Sequence, residues 1–216
     1  MLTAISATAA VGGFLFLSTL YLQDVRRMSA VTAGLHLLPM AAMMALGAVV
    51  SSRILARHGA RLPMLAAGVG LAVGGVLLSR LTATSALAPL AVAFIVFGIG
   101  GGLVNAPITY TAVSGMPVSQ AGVASGVAST SHQIGQCLGI AVAGSILAGN
   151  LRGGTLRTGF VPASHADWLL LAAMGGVIFA LGLVTTSQWA LHTARTVARR
   201  QEFSASDISR LPETIH

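Results

Sequence analysis

The side chains able to do chemistry are few and fall on two stripes. Ser125, Ser129, His132 and Gln136 lie at i, i+4, i+7 and i+11, one face of a helix with a 3.6-residue period. Gly98, Gly102, Asn105 and Thr109 repeat that spacing. Hydroxyl, amide and imidazole groups exchange hydrogen bonds without carrying a fixed charge. Such a stripe can orient a small molecule against an otherwise apolar wall, or it can bond one helix to its neighbour. Catalysis is poorly supported. No spacing gathers Ser, His and Asp, and neither HExxH nor a cluster of metal ligands occurs. The single cysteine, Cys137, excludes a disulfide framework and a multi-cysteine metal site. No cofactor and no metal is expected. His36 and His132 are, with Cys137, the titratable groups set deep in apolar sequence, and a neutral hydrogen-bonded state is expected for both histidines. Asp24 and Asp167 sit at the ends of apolar runs, where loop solvent would hold them, so no buried Asp or Glu is expected.

The elements that position these stripes follow from composition. Of 216 residues 55% are hydrophobic and 8% are charged, with twelve basic and five acidic side chains. The mean hydropathy is +0.84. A soluble domain carries about 25% charged residues, so this chain cannot cover a water-facing surface, and it is too apolar for disorder. An integral membrane protein remains. The net charge of +7 comes from arginines scattered between apolar runs, a pattern of loops beside a membrane and not of a nucleic-acid face. Nucleic acid is not an expected partner.

Residues 1–23, 28–52, 62–79 and 168–194 are free of Asp, Glu, Lys and Arg, and each is close to one bilayer crossing. Residues 81–151 are also charge-free but too long for one crossing. The turn residues Ser114–Gln120, around Pro117, divide that run in two. The expected fold is an all-α membrane protein. Its six transmembrane helices, at about 3–22, 33–53, 62–80, 88–113, 121–149 and 168–191, form one bundle within residues 1–191, and 192–216 form a cytoplasmic tail. The runs lack the alternation that a β-barrel needs. Trp168 and Trp189 are spaced to bracket the last span at the two membrane interfaces. Pro39 and Pro107 should bend the second and fourth helices. Gly70/Gly74, Gly98/Gly102, Gly122/Gly126 and Gly135/Gly139 are each spaced by four, as in close helix packing. The run Phe97–Gly102 holds no GxGxxG and follows no strand, so it does not read as a nucleotide site. An even helix count puts both termini on one side. Seven arginines against five favour that side being the cytoplasm.

The connection Ser51–Arg61 carries a further signal. It reads R-x-G-x-R at Arg57, Gly59 and Arg61, with Arg53 one turn before. This resembles the basic cytoplasmic loop of the major facilitator superfamily, in the degenerate form of the C-terminal half, with Ala56 at the acidic position. Tyr21–Gln23 with Ala33–Pro39 resembles the junction of the first two helices of that half. Gln120–Gly126 with His132–Ala141 resembles its penultimate helix. The set is most similar to the fourteen-helix drug:proton antiporter branch and covers the chain to about residue 191.

The resemblance implies the C-terminal bundle of a multidrug-efflux-type transporter in a bacterial inner membrane, working by alternating access. Met1 opening almost directly into a helix fits a fragment. Asn105, Thr109, Ser129, His132 and Gln136 would line the substrate cavity, and Arg53, Arg57, Gly59 and Arg61 would form a cytoplasmic gate loop. The partners implied are the lipid bilayer, small hydrophobic or amphipathic substrates, a proton as coupling ion, and the missing N-terminal bundle or a second copy. A six-helix channel or scaffold acting as a homo-oligomer is the alternative, and an intramembrane enzyme the weaker one.

Overall fold

A computed structural model describes residues 2–82, 84–113, 121–151 and 155–185. The described elements are helical: α1 (Leu2–Leu20), running into a π turn (Tyr21–Val25), α2 (Ala30–His58), α3 (Arg61–Ser79), α4 (Leu87–Val113), α5 (Ala121–Asn150) and α6 (Leu156–Thr185). Among the described residues, five stretches are long and apolar enough to cross a membrane: Leu2–Val25, Ala30–His58, Arg61–Ser79, Leu87–Tyr110 and Leu156–Val184. The exception, α5, has 30 residues but interrupts its apolar sequence with Ser, Thr, His and Gln. It packs along α1 and completes the bundle. The chain is thus a multi-pass membrane protein of one six-helix bundle.

The packing network is two-fold. The helix pairs α2–α4, α3–α4 and α2–α3 recur as α5–α1, α6–α1 and α5–α6 when the first three helices are exchanged for the last three. Because each half has three crossings, its two repeats run in opposite senses, an inverted repeat. The most extensive pair, α3–α6, maps onto itself under this exchange. It is antiparallel: Gly68 faces Phe179, Ala72 faces Gly175 and Gly75 faces Ala172. The centre is aromatic. Phe14 of α1 stacks on Phe97 of α4, with ring centroids 4.3 Å apart. It meets Phe94 edge-on at 5.1 Å and Trp168 of α6 edge-on at 6.4 Å. At one end the Tyr21 hydroxyl donates to the Thr82 carbonyl and Arg26 donates to the Ser85 carbonyl, both at 2.7 Å. These bonds tie the α1–α2 connection to the α3–α4 connection.

The close helix approaches run through glycine. A Cβ on Gly98 would lie 2.5 Å from the Met40 carbonyl oxygen, and one on Gly70 2.9 Å from the Gly100 Cα. Gly135 and Gly139 press on the α1 backbone. Gly122 and Gly126, the remaining pair with this spacing, meet nothing within 4 Å among the described residues.

Two helices depart from their expected limits. The second runs from Ala30 to His58, because nothing in Ile54–His58 breaks a helix; Ser29 caps its start by accepting from the Thr32 amide at 3.2 Å. The sixth begins at Leu156, well before the expected 168, and contains Arg157, Pro162 and Asp167. Pro162 is the seventh residue of this helix, past the first turn, and so leaves the Thr158 carbonyl without its helical amide partner. Trp168 is therefore no interface marker: it is buried against Phe14 in the core. Asp167 is also buried, against the expectation of a solvated position at a span end. The turn around Pro117, Trp189 and the expected tail 192–216 lie outside the described residues.

Candidate functional site

A cavity of about 530 Å³ opens between α1, α2, α4 and α5. Its wall is mostly aliphatic. Val11 and Leu15 of α1, Met40 and Met44 of α2, and Val104 and Ile108 of α4 supply the apolar surface. The methionines lie at i and i+4, so both project to one side of α2. Flexible thioether side chains adapt their shape to different occupants. The polar groups in the wall are Thr8, Asn105, His132 and Gln136.

Each polar group is placed by its own helix. The Thr8 hydroxyl donates back to the Ala4 carbonyl at 2.9 Å, which satisfies its proton inside α1. The Asn105 amide donates to the Gly101 carbonyl at 3.1 Å, one turn earlier on α4. His132 and Gln136 are one turn apart on α5 and reach the cavity together. Gln136 is held where Gly12 of α1 passes: a Cβ on Gly12 would lie 2.6 Å from the Gln136 carbonyl oxygen. No charged side chain lines the space, so the wall presents shape, polarizability and three or four hydrogen-bonding handles.

The structure thus brings three of the five predicted cavity residues together and leaves two outside. Thr109 is exposed and donates to the Asn105 carbonyl at 3.0 Å. Ser129 is exposed beyond His132 on α5. Both continue their stripes past the rim of the cavity. Thr8, Met40 and Met44 were not predicted as site residues. The Met40/Met44 spacing was a usable signal for the second helix, whereas Thr8 is one hydroxyl in an alanine-rich run.

The Arg53–Arg61 segment is mostly helix and only briefly loop. Arg53 and Arg57 occupy the last turns of α2, Arg61 opens α3, and all three are exposed. Arg57 and His58 in the final turn suit the negative end of the helix dipole. Gly59 ends α2 with φ of 77°, and its amide donates to the Leu55 carbonyl at 3.0 Å. With ψ of −178°, that conformation belongs almost wholly to glycine. Among the described residues, no group of three or more His, Cys, Asp or Glu could hold a metal ion.

Comparison with known proteins adds to this geometry. Residues 1–140 match the family model of the Major Facilitator Superfamily. The chain is 36% identical over 148 residues to the tetracenomycin C resistance and export protein of Streptomyces glaucescens, covering 68% of this chain and 27% of that protein. It is 32% identical over 202 residues to the puromycin resistance protein pur8 of Streptomyces alboniger, covering 90% and 40%. To the multidrug resistance protein Stp of Mycobacterium tuberculosis it is 37% identical over 139 residues, covering 64% and 26%. The alignments therefore span well under half the length of these relatives.

Proposed function

The chain belongs to the Major Facilitator Superfamily, and we propose that it supplies one six-helix half of a multidrug-efflux-type secondary transporter. The observation that carries this reading is the cavity: an uncharged, methionine-bearing wall with Asn105, His132 and Gln136 set into it. A wall of this kind suits small hydrophobic or amphipathic molecules, selected by shape and apolar area with a few hydrogen bonds for orientation. The named export and resistance functions of the relatives agree with it.

Alternating access would come from this bundle rocking against a second one across the cavity. The exposed stripe Gly122, Ser125, Gly126 and Ser129 supports a partner on that side, since small residues spaced by four let another helix come close. Proton coupling is assigned to the partner bundle, because no carboxylate lines this cavity. Arg53, Arg57, Gly59 and Arg61 would then form the cytoplasmic gate, with both termini in the cytoplasm of a bacterial cell and the helices in its inner membrane. A second copy of the chain is the competing occupant of the open face.

Reconstitution separates these readings. The chain is placed in proteoliposomes alone and together with the N-terminal half of its puromycin-resistance relative. Drug movement is expected only in the second case. Efflux by the chain alone as a proven monomer would contradict the half-transporter reading, and efflux by a homodimer would favour the oligomer.

A further inference from the structure

The cavity wall holds one side chain able to change its charge near neutral pH. Of the residues lining the space, His132 alone is titratable; the rest are aliphatic, thioether or glycine, or the uncharged Thr8, Asn105 and Gln136. The Thr8 hydroxyl and an Asn105 amide hydrogen are each directed to a carbonyl of their own helix. His36, the other histidine set in apolar sequence, likewise has Nδ1 2.8 Å from the Thr32 carbonyl of α2. No hydrogen bond ties the His132 ring to another described residue. The ring is exposed on the cavity side of α5, so both nitrogens are open to an occupant.

The charged groups of the elements around it are fixed or far along the bundle. α1 and α4 carry no charged residue, and Tyr110 near the end of α4 is exposed. On α2, Arg53, Arg57 and His58 lie beyond Ala48, the last wall residue of that helix, and are exposed. α6 meets α5 at its other end, where Asn150 donates to the Ala163 carbonyl at 3.3 Å. That point is about 27 Å along α5 from His132 at 1.5 Å per residue, and Arg157, His165 and Asp167 of α6 belong to it. Residues 114–120, between α4 and α5, contain no titratable side chain. Arginine and phenol groups ordinarily keep their charge state between pH 5 and 8, whereas imidazole ordinarily changes in that range. A single charge in a wall of low polarity acts across the whole space.

Resting on the reading of this space as the substrate cavity, we propose that His132 selects its occupants by charge. With the ring neutral, the wall is uncharged and takes uncharged amphipathic molecules. With the ring protonated, the wall attracts anionic molecules, such as sulfonates, carboxylates and phenolates, and repels cationic ones. Acidification thus turns the cavity away from cations and toward anions.

The test reads the charge of the cavity without transport. The full chain in lipid nanodiscs carries Gln136→Cys in a Cys137→Ser background. Position 136 lies one turn from His132 on the same face, with Cβ atoms about 5–6 Å apart. Its labelling rate is measured with two thiol reagents of opposite fixed charge, trimethylammonium-ethyl and sulfonato-ethyl methanethiosulfonate. Each rate follows the thiolate fraction, but their ratio does not. The cation-to-anion ratio should fall by about 10-fold from about pH 8 to about pH 5.5, and His132→Gln should make it flat. Should Gln136→Cys not fold, Ala45→Cys, in the α2 wall of the same cavity, takes its place. A ratio that does not change with pH, or a change that persists in His132→Gln, would overturn the proposal and leave the cavity reading standing. Cysteines at 136 and 45 that neither reagent reaches, in a chain labelled once unfolded, would overturn both.

Discussion

The Ser51 hydroxyl on α2 donates a 2.6 Å hydrogen bond to the Leu103 carbonyl on α4, with both residues buried. Leu103 stands four residues before Pro107, and proline has no amide hydrogen to close that helical bond. A side chain from the neighbouring helix thus satisfies the carbonyl that the proline leaves open. The two helices bearing Met40, Met44 and Asn105 are thus linked by a hydrogen bond at the level of Pro107 as well as by packing.

Ser51→Ala should therefore destabilise the chain by about 1 kcal/mol, since it leaves a buried carbonyl unpaired. Ser52→Ala is the control. Its hydroxyl bonds the Ala48 carbonyl of its own helix at an exposed position, and its loss should fall within about 0.5 kcal/mol of zero. Thermal or denaturant unfolding in detergent measures both. Equal effects would remove the special role of Ser51.

Glycines with the same spacing should respond in opposite ways. Gly98→Ala forces a methyl against the Met40 carbonyl and should cost about 1–3 kcal/mol. Gly122→Ala meets nothing among the described residues and should be neutral or slightly stabilising, as alanine favours helix over glycine. If Gly122 packs on a partner bundle as proposed, the same substitution should lower activity of the assembled transporter while sparing stability of the chain. Loss of stability in the isolated chain would show that α5 packs differently.

The polar stripes are sequence patterns, and three of their residues, Asn105, His132 and Gln136, lie in the wall of the cavity, whereas the part supplied by α1 and α2 carries no such stripe. Asn105, His132 and Gln136 could be named because a polar group in an apolar helix must face something other than lipid. How far the stripe remains enclosed was not legible, because that depends on where α1 and α2 cross. Thr109 and Ser129 therefore fell outside. The start of α6 was misplaced for a related reason. A charged residue ends an apolar run in sequence, yet Asp167 is a charge-bearing residue that tertiary packing buries. Its burial, at 1% exposure, depends on packing between distant segments, which no local window contains.

Orientation gives a third prediction. In a Cys137→Ser background, Arg157→Cys should react with a membrane-impermeant thiol reagent in intact cells, whereas Arg57→Cys should react only after permeabilisation. Both positions are exposed, so reactivity reports sidedness. The reverse pattern would place the Arg53–Arg61 segment outside and remove it as a cytoplasmic gate.

The cavity assignment is tested most directly by substrate profile in the assembled transporter, the chain joined to a complementary N-terminal half. Asn105→Ala and Gln136→Ala each delete one polar handle from an otherwise apolar wall. Such a change should shift the relative efflux of different drugs by roughly 10-fold, about 1.4 kcal/mol of differential binding, with expression unchanged. Leu138→Ala is the control, two residues from Gln136 on another face of α5 and exposed in the chain; it should leave the profile as it was. A selective shift in the alanine variants at positions 105 and 136 is the predicted result. Unchanged transport of every drug, or loss of folding in place of altered selectivity, would make Asn105 and Gln136 packing residues and contradict the account.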